Sequence, residues 1–280
     1  MKIAWVTDST AAMDDVMQNH PDVYIVPITI LLDEQEYIDG VDLTPAALYE
    51  TLKSIKAVPK TSQPSIGTFQ QLFEKLGETY DAIIAVHLSE KLSGTVSSCK
   101  QAAELVKIPV YTIDSGLISY PLTWLVKKGM QLAEQELQPE QITTKLESLK
   151  HENELYVLIG SLEQLHRSGR MNGLQFFLGS VLQITPIISL EQGQLNTKEK
   201  VRSKKKAQEK MINYLKSAYE QHELKEAFIL YGLHREIAEE WKRTIEMEIP
   251  GLVLNCYPLG AAVGLHAGED TLGISWFNKQ

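Results

Sequence analysis

A chain of 280 residues is long enough for one large domain or two modest ones. Its hydrophobic fraction of 44% and charged fraction of 22% are those of an ordinary globular protein with ample material for a core. The formal net charge of −9 argues against a general nucleic-acid binder, because such proteins carry excess positive charge for the phosphate backbone.

The N-terminal residues and the cysteine usage predict a cytoplasmic protein. Residues 1–6 lead directly into a polar turn rather than into the apolar segment of a signal peptide, and no apolar run approaches membrane-spanning length. Cys99 and Cys256 are the only cysteines, and their spacing is not that of a metal site. We therefore expect two buried thiols, no bound metal and no cofactor.

The first half of the chain alternates short apolar strands with amphipathic helices, which predicts an α/β domain with a mainly parallel sheet. A charged link at 151–154 is expected to end this domain near residue 150. The predicted strands lie at 3–6, 23–32, 82–88 and 110–113, with a hairpin at 33–40. The predicted helices lie at 12–19, from Pro45, from about 65 to 80, after Thr95, at 121–137 and from 138 to about 150.

The second half, residues 151–280, has strands and helices in less regular order and predicts an α+β domain. A basic run at 198–210, with Arg202 at its centre, is expected either as the solvated start of a helix or as a docking face for an acidic partner. Strands are predicted at 155–159, 186–190, 227–231, 252–257 and 272–277, and helices at 174–182, 235–247 and within 258–268.

Ser93, Gly94 and Thr95 stand between an apolar strand and a helix. A helix start presents backbone N–H groups without internal partners and carries the positive end of the helix dipole. Gly94 lets a ligand approach the backbone, and the two hydroxyls add donors. The turn is therefore a competent site for a phosphate or a carboxylate. The alternative is that Ser93 or Thr95 only caps the helix.

Three other turns carry hydroxyl groups in comparable positions: residues 7–10, Asp114-Ser115 and the Thr61-Ser62 loop. Ligands of open parallel sheets bind beyond the carboxyl ends of the strands, so these turns could converge on one site. The motifs GxGxxG, GxxxxGK[ST], GxSxG and HExxH are all absent from the sequence, which removes the usual support for nucleotide-binding, serine-hydrolase and zinc-protease functions.

His266 closes the last small-residue segment of the chain, beside a glycine. A lone histidine is commonly structural. It gains a functional interpretation if it faces the hydroxyl groups, where its ring could donate to a bound anion.

Seven short stretches, spread over nearly the whole chain, are specific as a set although each is weak alone. They read VTDST at 6–10, DGVD at 39–42, KTSQPS at 60–65, LSGT at 92–95, IDS at 113–115, LHRSGRM at 165–171 and LHAG at 265–268. In this order they resemble the DegV family of fatty-acid-binding proteins, the binding subunits of bacterial fatty acid kinase. The resemblance implies an N-terminal three-layer α/β/α domain at 1–150 and a C-terminal α+β domain with a mixed sheet at 151–280.

The resemblance also implies roles for particular residues. Thr61 and Ser93 match the side chains that bind the carboxylate of one long-chain fatty acid such as palmitate, while the tail occupies an apolar tunnel. Phe176, Phe177, Leu178 and Leu182 are candidates for the tunnel wall. Ser62, Gly94 and Thr95 are expected to be adjoining contacts of the carboxylate. His266 matches the histidine of the family.

Arg170 matches an arginine of an exposed loop thought to meet the kinase, and Arg202 is the second expected partner-binding residue. Ser168-Gly169-Arg170 departs from the usual Gly-Gly-Arg, and Glu269 and Asp270 add negative charge near the anion site. We expect these two carboxylates to point into solvent. The resemblance implies a non-catalytic carrier that presents its ligand for conversion to acyl-phosphate in phospholipid synthesis.

Two alternatives remain at the level of the sequence. Ser93, His266 and either Asp8 or Asp114 could form the triad of an esterase or acyltransferase, although no nucleophile elbow supports it. The basic run at 198–210 could instead bind nucleic acid, which the acidic net charge opposes.

Overall fold

The computed structural model describes residues 1–55, 57–171 and 184–279. The predicted helix at 174–182 and its tunnel-wall candidates lie outside these ranges. Within them the protein has the two-domain α/β architecture that the sequence predicts, with one parallel and one mixed sheet.

The first half forms a four-stranded parallel sheet and a small three-stranded antiparallel sheet. The parallel sheet has the order β2-β1-β6-β7, and the small sheet has the order β4-β3-β5. The elements are β1 Ile3–Asp8, α1 Asp15–Gln18, β2 Val23–Val26, β3 Thr29–Leu32, β4 Gln35–Ile38, α2 Pro45–Leu52, β5 Lys60–Ser62, α3 Ile66–Leu76, β6 Ala82–His87, α4 Thr95–Ala103, β7 Val110–Asp114, α5 Tyr120–Glu134 and α6 Pro139–Leu149.

The parallel sheet is covered on both faces, which explains why β1 and β6 are apolar along their whole length. Phe69 and Phe73 of α3 pack with Cys99 of α4 on one face. Leu122 and Leu125 of α5 pack with α6 on the other. These layers make the three-layer α/β/α arrangement.

The predicted single strand at 23–32 is wrong. The structure divides it into β2 and β3, which belong to different sheets. Pro27 lies between them and has no N–H to donate, so it cannot continue the ladder. The next amide, that of Ile28, donates to Ser9 Oγ instead, at 2.9 Å. The predicted helix at 12–19 is also shorter, because Asp14 accepts from the amide of Met17 and caps it from within.

The second half forms a six-stranded mixed sheet with the order β10-β9-β8-β13-β11-β12, in which only β11 and β12 are parallel neighbours. All its strands follow residue 150 and those of the other sheets precede it, although a domain boundary at that residue stays a prediction. The elements are β8 Asn153–Leu158, α7 Leu162–Arg167, β9 Thr185–Glu191, β10 Gln194–Val201, α8 Lys204–His222, β11 Glu226–Tyr231, α9 Arg235–Glu248, β12 Val253–Pro258, α10 Ala261–Ala267 and β13 Leu272–Phe277.

Both faces of the mixed sheet are buried, and alternate residues of β8 show the division. Tyr156 and Leu158 pack under α8 and α9. Leu155 and Val157 point the other way, into a core cluster that they share with residues of the first half. The space between the two halves is therefore lined by apolar side chains from the mixed sheet.

Candidate functional site

The site lies where the parallel sheet changes its direction of winding. From β1 the chain proceeds to β2 on one side, and it later returns to place β6 on the other side of β1. The loops that follow β1 and β6 therefore diverge, and such a switch point is where open parallel sheets bind ligands. Thr10 from the first loop and Leu88 and Ser93 from the second line a cavity there.

The cavity has a volume of about 100 Å³ and a mostly apolar wall. Its polar lining is confined to a few side chains, namely Thr10, Thr61, Ser93, Arg170, His266 and Thr271. The apolar lining comes from both halves, namely Ile28, Leu88, Leu92, Ile118, Leu155, Val157, Ile159, Leu165, Leu195, Leu230, Leu259, Ala262, Val263 and Ala267. An amphipathic ligand with one small polar group matches this division.

The Ser93 turn is placed as the sequence predicts, at the start of α4. The N-cap position is Gly94, and no side chain caps the helix. Ser93 Oγ lies 2.9 Å from Thr95 Oγ1 and accepts only a long bond, at 3.4 Å, from the Thr95 amide. A purely capping role for Ser93 therefore does not describe the structure, and its hydroxyl lines the cavity.

Thr61 and His266 meet although 205 residues separate them, with 2.9 Å between Thr61 Oγ1 and His266 Nε2. Burial, and then the nearby charge of Arg170, lower the pKa of His266 to about 3, so the ring is neutral at pH 7. Its Nδ1 is buried without a partner. If Nε2 carries the proton and donates it to Thr61, the Thr61 hydroxyl is free to donate into the cavity.

The sequence did not predict the places of two residues near the site, Thr10 and Gln63. Thr10 lines the cavity but was recognised only as part of a turn. Gln63 covers Gly94, and a Cβ atom on that glycine would lie 2.9 Å from Gln63 Nε2. This close approach joins the loop after β5 to the Ser93 turn, and a larger residue at 94 would have to displace the end of the Gln63 side chain. The KTSQPS stretch contained Gln63, but nothing local showed where its side chain would pack.

The other predicted contact residues lie outside the cavity lining. Ser62 follows Thr61 on β5, and its side chain is exposed because successive strand residues face opposite sides. Thr95 is fully buried behind Ser93. Ser115 is also away from the cavity, because its hydroxyl donates to the carbonyl oxygen of His87 at 2.6 Å. The expectation that all four hydroxyl turns converge is therefore only partly met, by Thr10, Thr61 and Ser93.

Arg170 differs from its expected place in an exposed loop. Gly169 beside it is exposed with a φ of +76°, whereas the Arg170 side chain is half-buried and lines the cavity. Its Nη1 donates to the carbonyl oxygen of Ser168, and burial lowers its pKa. Within the described ranges no carboxylate lies at ion-pair distance from its guanidinium. A half-buried cation of this kind favours an anion in the cavity.

The carboxylates that the triad hypothesis requires are engaged elsewhere. Asp8 Oδ2 lies 3.0 Å from Nδ1 of His87, and its Oδ1 accepts from the hydroxyl of Thr10 at 2.5 Å. Asp114 accepts from the amides of Glu90 and Gly116. His266 bonds to Thr61 rather than to either carboxylate. The structure thus lacks the base-to-carboxylate hydrogen bond that a Ser93–His266 triad would need.

Asp8 also links two residues that line the cavity, Thr10 and Leu88. Its carboxylate accepts from the amide of Leu88 at 2.9 Å as well as from Thr10. Asp8 and His87 are both fully buried. Burial opposes protonation of His87, but its hydrogen bond to Asp8 and the nearby Cys99 prevail and raise its pKa to about 9. The loops after β1 and β6 are therefore joined by a buried charge pair.

This pair predicts a loss of stability at alkaline pH. The folded-state pKa of about 9 lies above the ordinary value of 6.5, so the stabilisation is complete below 6.5 and is lost as the pH rises through 9. We expect the free energy of unfolding, measured with urea, to fall by about 3 kcal/mol over that window. His87→Gln should flatten the fall, and an equally steep fall in that variant would contradict the assignment.

Several remaining residues are placed away from the cavity. Arg202 is exposed in the link between β10 and α8, next to the helix N-cap Ser203. Asp270 is exposed and Glu269 is partly buried, and neither lines the cavity. Across residues 1–55, 57–171 and 184–279, no group of three potential metal-binding side chains occurs and no helix has the length and apolarity to span a membrane.

Comparison with known proteins identifies relatives over the full length of the chain. A "DegV domain-containing protein" of Listeria innocua is 34% identical over 280 residues, covering 99% of each chain. The crystal structure of DegV from Bacillus subtilis, described as a fatty acid binding protein, matches with a TM-score of 0.90 at 32% identity and 99% coverage of both chains.

A more distant structure shares the fold, with a TM-score of 0.83 at 20% identity and full coverage of both chains. It is the Streptococcus pneumoniae Fatty Acid Kinase (Fak) B3 protein loaded with linoleic acid. The model of the DegV family, described as an uncharacterised protein family, matches residues 2–279. This chain therefore belongs to the DegV family.

Proposed function

We propose that this protein binds one long-chain fatty acid, with its carboxylate at Thr61 and Ser93 and its tail against the apolar wall of the cavity. One observation carries the proposal. Hydroxyl groups and a neutral imidazole from three distant parts of the chain meet at a buried cavity that is otherwise almost entirely apolar. The description of the Bacillus subtilis relative as a fatty acid binding protein supports the same ligand class.

The energetics give the two ends of the ligand different roles. Burial of a methylene contributes about 0.8 kcal/mol, so a tail of ~14 methylenes could contribute on the order of 10 kcal/mol before the costs of association. A hydrogen bond to a charged group contributes roughly 1.5–3 kcal/mol. The tail would therefore dominate affinity, whereas Thr61 and Ser93 would fix which end of the ligand is presented.

The polar end suits an ionised carboxylate. Hydroxyl donors stabilise the charged form, and the half-buried Arg170 lies on the same cavity. An ionised carboxylate held in one orientation is the nucleophile needed to attack the γ-phosphate of ATP and form an acyl-phosphate. The sequence contains neither of the phosphate-binding motifs GxGxxG and GxxxxGK[ST], so in this proposal ATP and Mg²⁺ belong to a partner kinase.

The partner would meet two basic features. Arg170 would stabilise the negative charge on the oxygens of the phosphoryl group as it passes to the carboxylate. Arg202 and the lysines at the start of α8 would supply a docking face for an acidic surface of the kinase, since Arg202, Lys204, Lys205 and Lys206 are all exposed. The Streptococcus pneumoniae neighbour, described as a Fatty Acid Kinase (Fak) B3 protein, supports a kinase as the partner, whereas the roles of Arg170 and Arg202 rest on their positions.

The proposal is tested by the ligand that the protein retains. Protein purified without added lipid is expected to release one long-chain fatty acid per chain on organic extraction, detected by mass spectrometry. Bovine lysozyme or another non-lipid protein purified in parallel from the same host controls for adsorbed lipid. Absence of a fatty acid, together with no binding of added palmitate, would refute the proposal. Labelling of Ser93 by a serine-directed phosphonate would favour the esterase instead.

A further inference from the structure

Ser89 makes a buried contact between the two halves of the chain. It lies two residues after β6, and its Oγ donates to the carbonyl oxygen of Gly193 at 2.7 Å. Gly193 occupies the turn between β9 and β10 of the mixed sheet. Both residues are buried. The hydrogen bond therefore attaches the tip of a second-half hairpin to the loop that carries Ser93.

The contact leaves no room for a larger residue at the hairpin tip. Gly193 has a φ of +77°, and a Cβ atom there would lie 2.5 Å from Ser89 Oγ. Gly116, with a φ of +63°, packs on the same turn, and its Cβ would lie 3.7 Å from the Gly193 Cα. The backbone of Gly193 thus contacts Ser89 and Gly116 of the first half directly, and only glycine at 193 permits this approach.

Ser89 also holds the turn that leads to Ser93. Its carbonyl oxygen accepts from the amides of Leu92 at 3.0 Å and Ser93 at 3.2 Å. Its Oγ accepts from the amide of Lys91 at 3.2 Å, and its own amide donates to the carbonyl oxygen of Leu117 at 2.9 Å. Ser89 is therefore a junction with bonds to the Ser93 turn, to the loop after β7 and to the hairpin.

The hairpin side of the contact reaches the same cavity. Leu195 follows Gly193 by two residues on β10 and lines the cavity beside Leu92 and Ser93. A second recess adjoins it, lined by Lys91, Leu92, Arg170, Gln194 and Leu195. Movement of the hairpin tip relative to Ser89 would thus change the wall next to the Ser93 hydroxyl.

We propose that Ser89 is a positioning residue for the polar end of the cavity: by bonding Gly193 it fixes the Ser93 turn and Leu195 relative to each other. It does this without lining the cavity itself. The inference rests on the proposed function in one respect, which is that the group held at Ser93 is a carboxylate. Its structural part, the coupling of two loops from different halves, does not depend on the ligand.

The chain offers a matched control in Ser115. Both serines are buried, both donate to a backbone carbonyl at short distance and both accept from an amide two residues on, Lys91 for Ser89 and Leu117 for Ser115. Ser115 bonds within the first half, to His87, whereas Ser89 bonds to the second half. Replacing either serine by alanine removes an equivalent pair of hydrogen bonds.

The first measurement compares binding of palmitate and of hexadecanol. Ser89→Ala is expected to weaken palmitate binding about tenfold and hexadecanol binding less than about twofold, because a displaced Ser93 loses most toward the charged headgroup. Ser93→Ala should show the same selectivity with a larger loss, and Ser115→Ala should leave the acid-to-alcohol ratio unchanged. A ratio in Ser89→Ala equal to that in Ser115→Ala would overturn the proposal.

The second measurement needs no ligand. Amide hydrogen exchange of Ser89→Ala is expected to increase both at 89–94 and across the chain at 191–195, whereas Ser115→Ala should not affect 191–195. Faster exchange at 89–94 alone would overturn the coupling. If the protein binds no fatty acid yet both segments respond, the proposed function fails and the coupling stands.

A double substitution completes the test. Gly193→Ala should be destabilising, because it places a methyl group against Ser89 Oγ and forces alanine into a positive φ. Ser89→Ala removes that oxygen, so Gly193→Ala should cost less in the Ser89→Ala background than alone. Additive effects of the two changes on unfolding would contradict a direct contact in solution.

Discussion

Replacing Arg170 by alanine is expected to lower the rate of acyl-phosphate formation with the cognate kinase by about 100-fold or more. The half-buried guanidinium lines the cavity near His266, where the negatively charged phosphoryl group would reach the carboxylate during transfer. Loss of one fixed donor to a developing charge commonly costs 10²–10³ in rate. Affinity for palmitate should fall less than about tenfold, because the tail supplies most of it.

Two other arginines serve as controls for this result. Arg167 lies on the preceding helix, α7, and interacts with Glu163 at the surface, so Arg167→Ala should leave the rate unchanged. Arg202→Ala should raise the concentration of this protein needed for half-maximal rate without lowering the maximal rate, if Arg202 contributes to docking. An unchanged rate in Arg170→Ala would remove Arg170 from the reaction.

Replacing Thr61 by valine is expected to weaken palmitate binding about 100-fold. The substitution keeps the shape of the side chain but removes the donor to the carboxylate. A hydrogen bond to a charged group contributes up to about 3 kcal/mol, which corresponds to about 100-fold in affinity. The measurement is a titration with palmitate and with hexadecanol, whose binding should change much less.

Thr61→Ser and Ser62→Ala separate this role from a general effect on β5. Thr61→Ser retains the hydroxyl and should restore most of the affinity. Ser62→Ala changes the neighbouring exposed side chain, which faces away from the cavity, and should have no measurable effect. Comparable losses of palmitate affinity in Ser62→Ala and Thr61→Val would show that β5 does not contact the ligand through Thr61 as the structure places it.

The local character of each turn could be predicted from the sequence, because it depends on neighbours along the chain. The Ser93 turn follows an apolar strand and precedes a helix in both the prediction and the structure. The hairpin predicted at 33–40 forms between β3 and β4, and His266 lies at the end of a short helix as expected. The prediction of one strand at 23–32 was wrong because Pro27 interrupts the apolar run and separates β2 from β3.

The sequence by itself determined the fold class, the positions of the hydroxyl-bearing turns and the residue types that could receive an acid, since these follow from periodicity and local chemistry. Only the tertiary structure decided which of those groups share a cavity. The pairing of Thr61 with His266, the burial of Ser115 and the inward position of Arg170 depend on segments far apart in the chain. Strand order and packing between the two halves set those distances, and no local pattern encodes them.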